Sequence, residues 1–158
     1  MRLTTPDGFY RFAYRHGIRA ARLWWWFTRP HTLGAHVMIW HEGKVVLVRT
    51  SYRADWMAPG GGLKASETPS EGAVREVSEE VGLTLRAEDL HLVEVIEHSP
   101  DNRQDKLHLF ETHVATVSAI RIDNREVVEA RWVTPAEALS LNLAHPFRDY
   151  LRLKIDPE

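Results

Sequence analysis

The sequence contains no cysteine, which excludes disulfides, thiolate metal ligands and thiol nucleophiles together. Long apolar runs are missing too: none approaches the roughly 20 residues that a helix needs to cross a bilayer. The nine histidines are scattered, with no His-Glu-x-x-His or His-x-His pair, so imidazole zinc chemistry has little support. A charge excess of one sign is lacking as well. The formal net charge is −2 with 27% of residues charged, the balance of an ordinary soluble, cytoplasmic chain with no global nucleic-acid footprint. There is no internal repeat or low-complexity tract, and 158 residues suit one domain with a single substantial core.

What is present is concentrated between Gly61 and Leu83. Gly60, Gly61 and Gly62 predict a turn that admits positive φ and lets its backbone come close to a ligand. A helix should follow: Thr68 suits the N-cap, Pro69 the first helical position, Glu71 the capping box, and Gly82 the αL cap. Ala73, Val77 and Val81 give that helix a side to bury, and Gly72 should leave open space above its acidic flank. On the flank, Glu76, Glu79 and Glu80 stand at i, i+3 and i+4, so their carboxylates lie close together and repel. A solvated acidic face is the plain explanation of such a run. An all-oxygen site for Mg2+ or Mn2+ explains it better, because the glutamates flank the glycine turn. Arg75 is four residues from both Glu71 and Glu79 and within reach of Glu67 across the turn, so it should pin loop to helix.

This stretch resembles the Nudix box, in which a glycine, a glutamate and the run Arg-Glu-U-x-Glu-Glu-x-Gly-U recur at fixed spacing, U being a bulky aliphatic. Gly61, Glu67, Arg75, Glu76, Val77, Glu79, Glu80, Gly82 and Leu83 fill its fixed positions. The resemblance implies an α/β fold, a Nudix-like α/β/α sandwich with a mixed central sheet. It also implies metal-dependent hydrolysis of a diphosphate linkage, usually in a nucleoside diphosphate joined to another group. By the same resemblance the carbonyl of Gly60 joins Glu76, Glu79 and Glu80 as a ligand, Glu67 and Gly82 serve the motif's structure, and Trp56, Gly61 and Gly62 line the substrate.

The rest of the chain fits this frame. Residues 1–29 read as a basic, aromatic extension with a helix over Gly8 to Thr28, and residues 30–158 as the hydrolase domain. From Met1 to His36 there are six arginines against the single acid Asp7. With Trp24, Trp25 and Trp26, such a helix suits packing on the core or on a partner subunit better than an anionic membrane surface, and a homodimer through it is a further expectation. A signal peptide is not expected, because arginines interrupt the short apolar run. Gly34 to Trp40 and Lys44 to Arg49 read as strands buried on both faces, joined by a turn at His41-Glu42-Gly43. Leu90 to Glu97, Lys106 to Val117 and Glu126 to Val133 are further strands, and the loop from His98 to Asp105 is a place for substrate selection. Thr134-Pro135-Ala136-Glu137 repeats the helix-start signal, and Phe147 to Leu153 should close the fold with Phe147, Tyr150 and Leu151 inward.

A diphosphate is shielded by anionic oxygens, so attacking water must lose a proton and the leaving phosphate's charge must be neutralised. Ions on Glu76, Glu79 and Glu80 would do both. The base is a glutamate of the box in some relatives and one from a later loop in others, which singles out Glu79, Glu126 and Glu129, with Glu126 preferred; Arg75 completes the catalytic set. Arg49 and Arg53 approach the same loop and are either phosphate contacts or surface arginines. A catalytically silent nucleotide-binding module and an RNA 5′-end pyrophosphohydrolase are the rival readings. The partner expected is a small nucleoside diphosphate substrate, with no stable nucleic-acid partner and no transmembrane segment.

Overall fold

The computed structural model describes residues 13, 16–17, 31–98, 104–122 and 124–155. The helix expected over 8–28, the homodimer contact assigned to it and most of the 98–105 loop lie outside these residues. Among the described residues no helix is long and apolar enough to cross a membrane.

Strands β1 (His31–His41) and β2 (Lys44–Thr50) form a hairpin. Its turn places Glu42 and Gly43 at φ 47° and 74°, the left-handed pair that matches the twist of a two-residue hairpin. The hairpin soon forks. β1 and β2 pair only at Trp40 with Val45 and His41 with Lys44, and the chain from Trp56 to Gly62 fills the gap. There β3 (Trp56–Met57) pairs with β2, and β4 (Gly60–Gly62) pairs with β1. The glycine triplet is therefore a strand, not the turn its composition suggests. Only Gly60 has positive φ, at 145°, and a Cβ there would stand 2.2 Å from the Ala35 carbonyl oxygen. Gly60 is needed because β1 runs close beside it, and Gly61 because Glu76 of the following helix does, partners that local composition does not reveal.

Beyond the fork, β1 runs parallel to β6 (Gln104–His113), which pairs antiparallel with the edge strand β5 (His91–His98). β7 (Val127–Val133) pairs antiparallel with β2. The seven strands make one mixed sheet in the order β3-β2-β1-β6-β5, with β4 on β1 and β7 on β2. Helix α1 (Pro69–Val81) packs on β1 and β4, while α2 (Pro135–Ser140) and α3 (His145–Ile155) pack together, with α2 against β2. This is the expected α/β sandwich. Its core includes Val37, Ile39, Val45 to Val48, Val77, Val81 and Leu151, all fully buried, each contributing about 1.5–3 kcal/mol. Phe147 and Tyr150 also face inward.

The helix starts follow the sequence closely. Thr68 and Thr134 each accept a hydrogen bond from the backbone N–H three residues on, Glu71 and Glu137 return the bond, and proline sits at the first helical position. Gly82 ends α1 in the αL conformation, φ 69°. Gly72 departs from expectation. It is buried, and a Cβ there would meet the Leu63 side chain at 2.3 Å and Glu67 Oε2 at 3.3 Å, so its missing side chain seats the loop rather than opening room above the carboxylates.

Candidate functional site

The fork brings α1 against the glycine strand. Glu80, near the C-terminal end of α1, is buried, and its Oε2 accepts from the backbone N–H of Gly60 at 2.8 Å. Glu76, one turn earlier, lies against Gly61: a Cβ on that glycine would stand 2.8 Å from the Glu76 carboxyl carbon. Burial lifts the Glu76 carboxyl above its ordinary pKa despite a bond from Arg75, and the charges of Glu79 and Glu126 push the same way. Glu79 is the most open of the three, its side chain 58% exposed.

Arg75 is the hub of the loop. Its Nε and Nη2 donate to Glu67 at 2.6 and 2.9 Å, Nη2 to the Gly62 carbonyl at 3.0 Å, and Nη1 to Glu76 at 2.7 Å and Glu79 at 3.3 Å. Glu67 also accepts from the Lys64 backbone N–H at 2.9 Å. These bonds, Arg75 first, hold the Glu67 carboxyl down at about 2. The expected tie from Arg75 to Glu71 is replaced by the capping box, where Glu71 accepts from Thr68. The positive charge that the glutamates call for is thus supplied here by a guanidinium.

A second carboxylate arrives from β7. β2 and β7 pair at Arg49 with Glu129 and at Thr50 with Val127, a bulge of one residue at Val128. Without it, Glu126 and Glu129 would fall on opposite faces of the strand. With it, Val127 goes inward beside Thr50, both buried, and Glu126, whose carbonyl accepts from Ser51 N–H at 2.7 Å, opens on the same face as Glu129. Tyr52 O–H donates to Glu126 Oε1 at 2.7 Å. Burial and the neighbouring charges of Glu126 and Glu80 push the Tyr52 hydroxyl far up, so it remains a donor. Tyr52 thus bonds the carboxylate just before β7 and feels the charge of Glu80 on α1, a role that residue order alone does not signal.

Arg49 and Glu129 are tied to each other. Arg49 donates to Glu129 Oε2 through Nε at 3.2 Å and Nη2 at 2.8 Å, and Arg131 donates to Oε1 through Nε at 2.6 Å and through Nη2. These bonds, the one from Arg49 foremost, hold the Glu129 carboxyl below its usual range, which makes it a poor proton acceptor. Both guanidiniums also face the buried Trp56 ring, at 5.9 Å for Arg49 and 5.1 Å for Arg131. Arg131 was not singled out by its sequence context, although Glu129 and Arg131 two apart on a strand share a face. Arg53 pairs locally with Asp55 at 2.8 Å. Gly62 has open space where a side chain would be.

Oxygen donors suit a hard divalent ion, and the bare Gly61 leaves the half-buried Glu76 carboxylate its place beside the strand. By donor chemistry Glu76, Glu79 and Glu80 fit such an ion. Among the described residues, no three His, Asp or Glu side chains converge on one point in the present arrangement, and Glu76 is bonded to Arg75.

The chain belongs to the NUDIX domain family, whose profile matches residues 30–153. Family members act on phosphoric anhydride bonds and generally use divalent metals. It is 35% identical over 121 residues to the putative 8-oxo-dGTP diphosphatase 3 of Mycobacterium tuberculosis (strain ATCC 25618 / H37Rv), covering 74% of this chain and 50% of that protein. It is 32% identical over 109 residues to diphosphoinositol polyphosphate phosphohydrolase 2 of Homo sapiens, covering 66% and 57%. The chain thus spans about half the length of these curated relatives. Among solved structures it is similar to the bifunctional NMN adenylyltransferase/ADP ribose pyrophosphatase of Francisella tularensis complexed with AMP and Mn ion. The TM-score is 0.69 at 14% identity, over 94% of this chain and 48% of that one, a likeness of fold.

Proposed function

We propose that this chain is a divalent-metal-dependent pyrophosphohydrolase that cleaves the diphosphate linkage of a nucleoside diphosphate derivative. The observation that carries the reading is the pair of α1 carboxylates on one glycine strand, Glu80 bonded to Gly60 and Glu76 against Gly61, with the charge of Glu126 felt at Glu76. A pure binding module has no physical need for neighbouring, partly desolvated carboxylates whose charges oppose one another. The two relatives are named for substrates with unlike organic groups and a common phosphoric anhydride, which supports the reaction class and leaves the base or sugar open.

Glu76, Glu79 and Glu80, with the Gly60 carbonyl, would hold Mg2+ or Mn2+. When bound, the ion supplies neutralisation of the phosphate oxygens and a lowered pKa for water. The chain's own groups do the rest. Glu126, oriented by the Tyr52 hydroxyl, takes the proton from the attacking water. Arg75 fixes the loop from Gly62 to Glu67 on α1 and so sets where Glu76 stands. The open edge at Gly62 admits the phosphates, with Gly61, Arg49, Arg53 and Trp56 on the substrate side. The test is turnover by purified protein with magnesium or manganese on a panel of nucleotides, dinucleotides and nucleotide sugars. Cleavage of at least one, stopped by chelator, is expected; no turnover on any member would refute the assignment.

A further inference from the structure

Arg131 has no place in the chemistry above and Arg49 only a general one on the substrate side, yet the two are arranged as a pair. Two guanidiniums share the single carboxylate of Glu129, one on each oxygen, so the group carries one uncompensated positive charge. Both arginines remain partly open, with side chains 38% and 54% exposed, while Glu129 is 27% exposed between them. The Trp56 ring, buried and anchored through its backbone to Asn142 and Ala144, forms the floor on which both guanidiniums lie. Such a floor fixes their planes and reduces the rotamer freedom lost on binding. The β7 bulge puts this group and Glu126 on the same face, three residues apart.

We infer that Arg49 and Arg131 form an anion subsite that receives a phosphate of the substrate beyond the two joined by the scissile bond, with Glu129 as the internal counter-ion that this phosphate displaces. The ligand class is a polyphosphate chain or a diphosphate bearing a further phosphoryl group. Three features of the site match that chemistry. Guanidinium forks bind phosphate oxygens in pairs. A phosphoryl dianion carries more charge than the carboxylate it replaces, so exchange leaves the arginines better neutralised. Glu129 lies three residues from Glu126, about 10 Å of extended chain, so the arginine pair sits along the same strand pair as the candidate base rather than on a distant surface. No bond is made or broken here; the subsite binds and selects. The inference deepens the function proposed above and rests on that reading for the identity of the scissile bond.

The test separates the two. Binding of inorganic tripolyphosphate is measured by calorimetry at low salt in chelator, where no turnover enters, for the native chain, Arg131→Gln and Glu129→Gln. Arg131→Gln removes half of the fork and is expected to weaken binding about tenfold, the loss typical of a charge-assisted bond. Glu129→Gln removes the competing carboxylate and is expected to tighten binding about threefold. A general disturbance of the fold would move both variants in the same direction, so opposite shifts identify the subsite. Equal affinity in all three proteins, loss in both variants, or no binding by the native chain would overturn it. Each of these results stands whether or not the panel assay with magnesium finds a substrate.

Discussion

The backbone N–H of Gly60 donates to the carboxylate of Glu80 across 2.8 Å, fastening the last turn of α1 to the strand that fills the fork between β1 and β2. The bond does not need a charged acceptor. In Glu80→Gln the amide oxygen can still accept it, so the fold should hold while the charge is lost. We expect turnover to fall by at least about a hundredfold, the scale of losing a group that stabilises transition-state charge, with the melting temperature changed by no more than a few degrees. Near-normal turnover in this variant would remove Glu80 from the site.

Gly60→Ala should act on the same contact from the other side. The added Cβ would lie 2.2 Å from the Ala35 carbonyl oxygen and 2.6 Å from His36 Cα at φ 145°, and neither backbone atom can yield cheaply. Strain of this kind costs about 1–3 kcal/mol before any clash is counted. Thermal unfolding should show a clear loss of stability, whereas Gly62→Ala, with nothing within 4 Å, should melt close to the native chain. Equal melting of the two variants would contradict the forked-sheet geometry.

Tyr52→Phe isolates the donor that orients Glu126. Tyr52 O–H and Glu126 Oε1 are 2.7 Å apart, and a hydrogen bond to a charged group is worth about 1.5–3 kcal/mol. The variant should lower kcat by about tenfold or more with KM little changed, since an orienting bond acts on the reacting water rather than on substrate affinity. A purely structural tyrosine would instead lower the melting temperature without separating kcat from KM.

Acid sensitivity should report the loop lock. The Glu67 carboxyl is held at about 2 in the folded chain by Arg75 and the Lys64 N–H, against about 4.3 for a free glutamate in the unfolded chain. A depressed folded pKa means that the unfolded state binds the proton first as pH falls. The contribution is therefore present in full above the unfolded value and is lost between about 4.3 and 2. Urea unfolding at pH 7, 4 and 3 should show native stability falling through this window, and Glu67→Gln should be less stable at pH 7 with a shallower fall. A fall equally steep in Glu67→Gln would show that Glu67 is not the group responsible.

The parts of this molecule that were legible from residue order are those whose causes are local. Thr68, Pro69 and Glu71, and again Thr134, Pro135 and Glu137, each carry a complete helix-start signal within four residues, and Gly82 needs only its own φ. The strands of the β1–β2 hairpin show their burial through runs such as Val45 to Val48. Features that depend on a distant partner were not legible. The glycine triplet reads as a turn because nothing near it announces that β1 will pair with it, and Gly72 reads as space because Leu63 folds back onto it. The bulge at Val128, the Tyr52 to Glu126 bond and the sharing of Glu129 by Arg49 and Arg131 all arise from the register of β2 against β7, which residue order leaves undetermined. The carboxylate cluster was visible in outline. The Arg75 bond to Glu79 follows from their i, i+4 spacing, whereas its bond to the adjacent Glu76 does not.

The most direct measurement is titration of Mn2+ into the purified chain with the free ion followed by electron paramagnetic resonance, repeated for Glu76→Gln and Glu80→Gln. The account predicts that the native chain takes up the ion and that each variant, still folded by circular dichroism, binds it at least about tenfold more weakly, as befits loss of a charged ligand. Native protein that leaves the Mn2+ signal unchanged, or variants that bind it as well as the native chain, would contradict the assignment of these carboxylates to a metal.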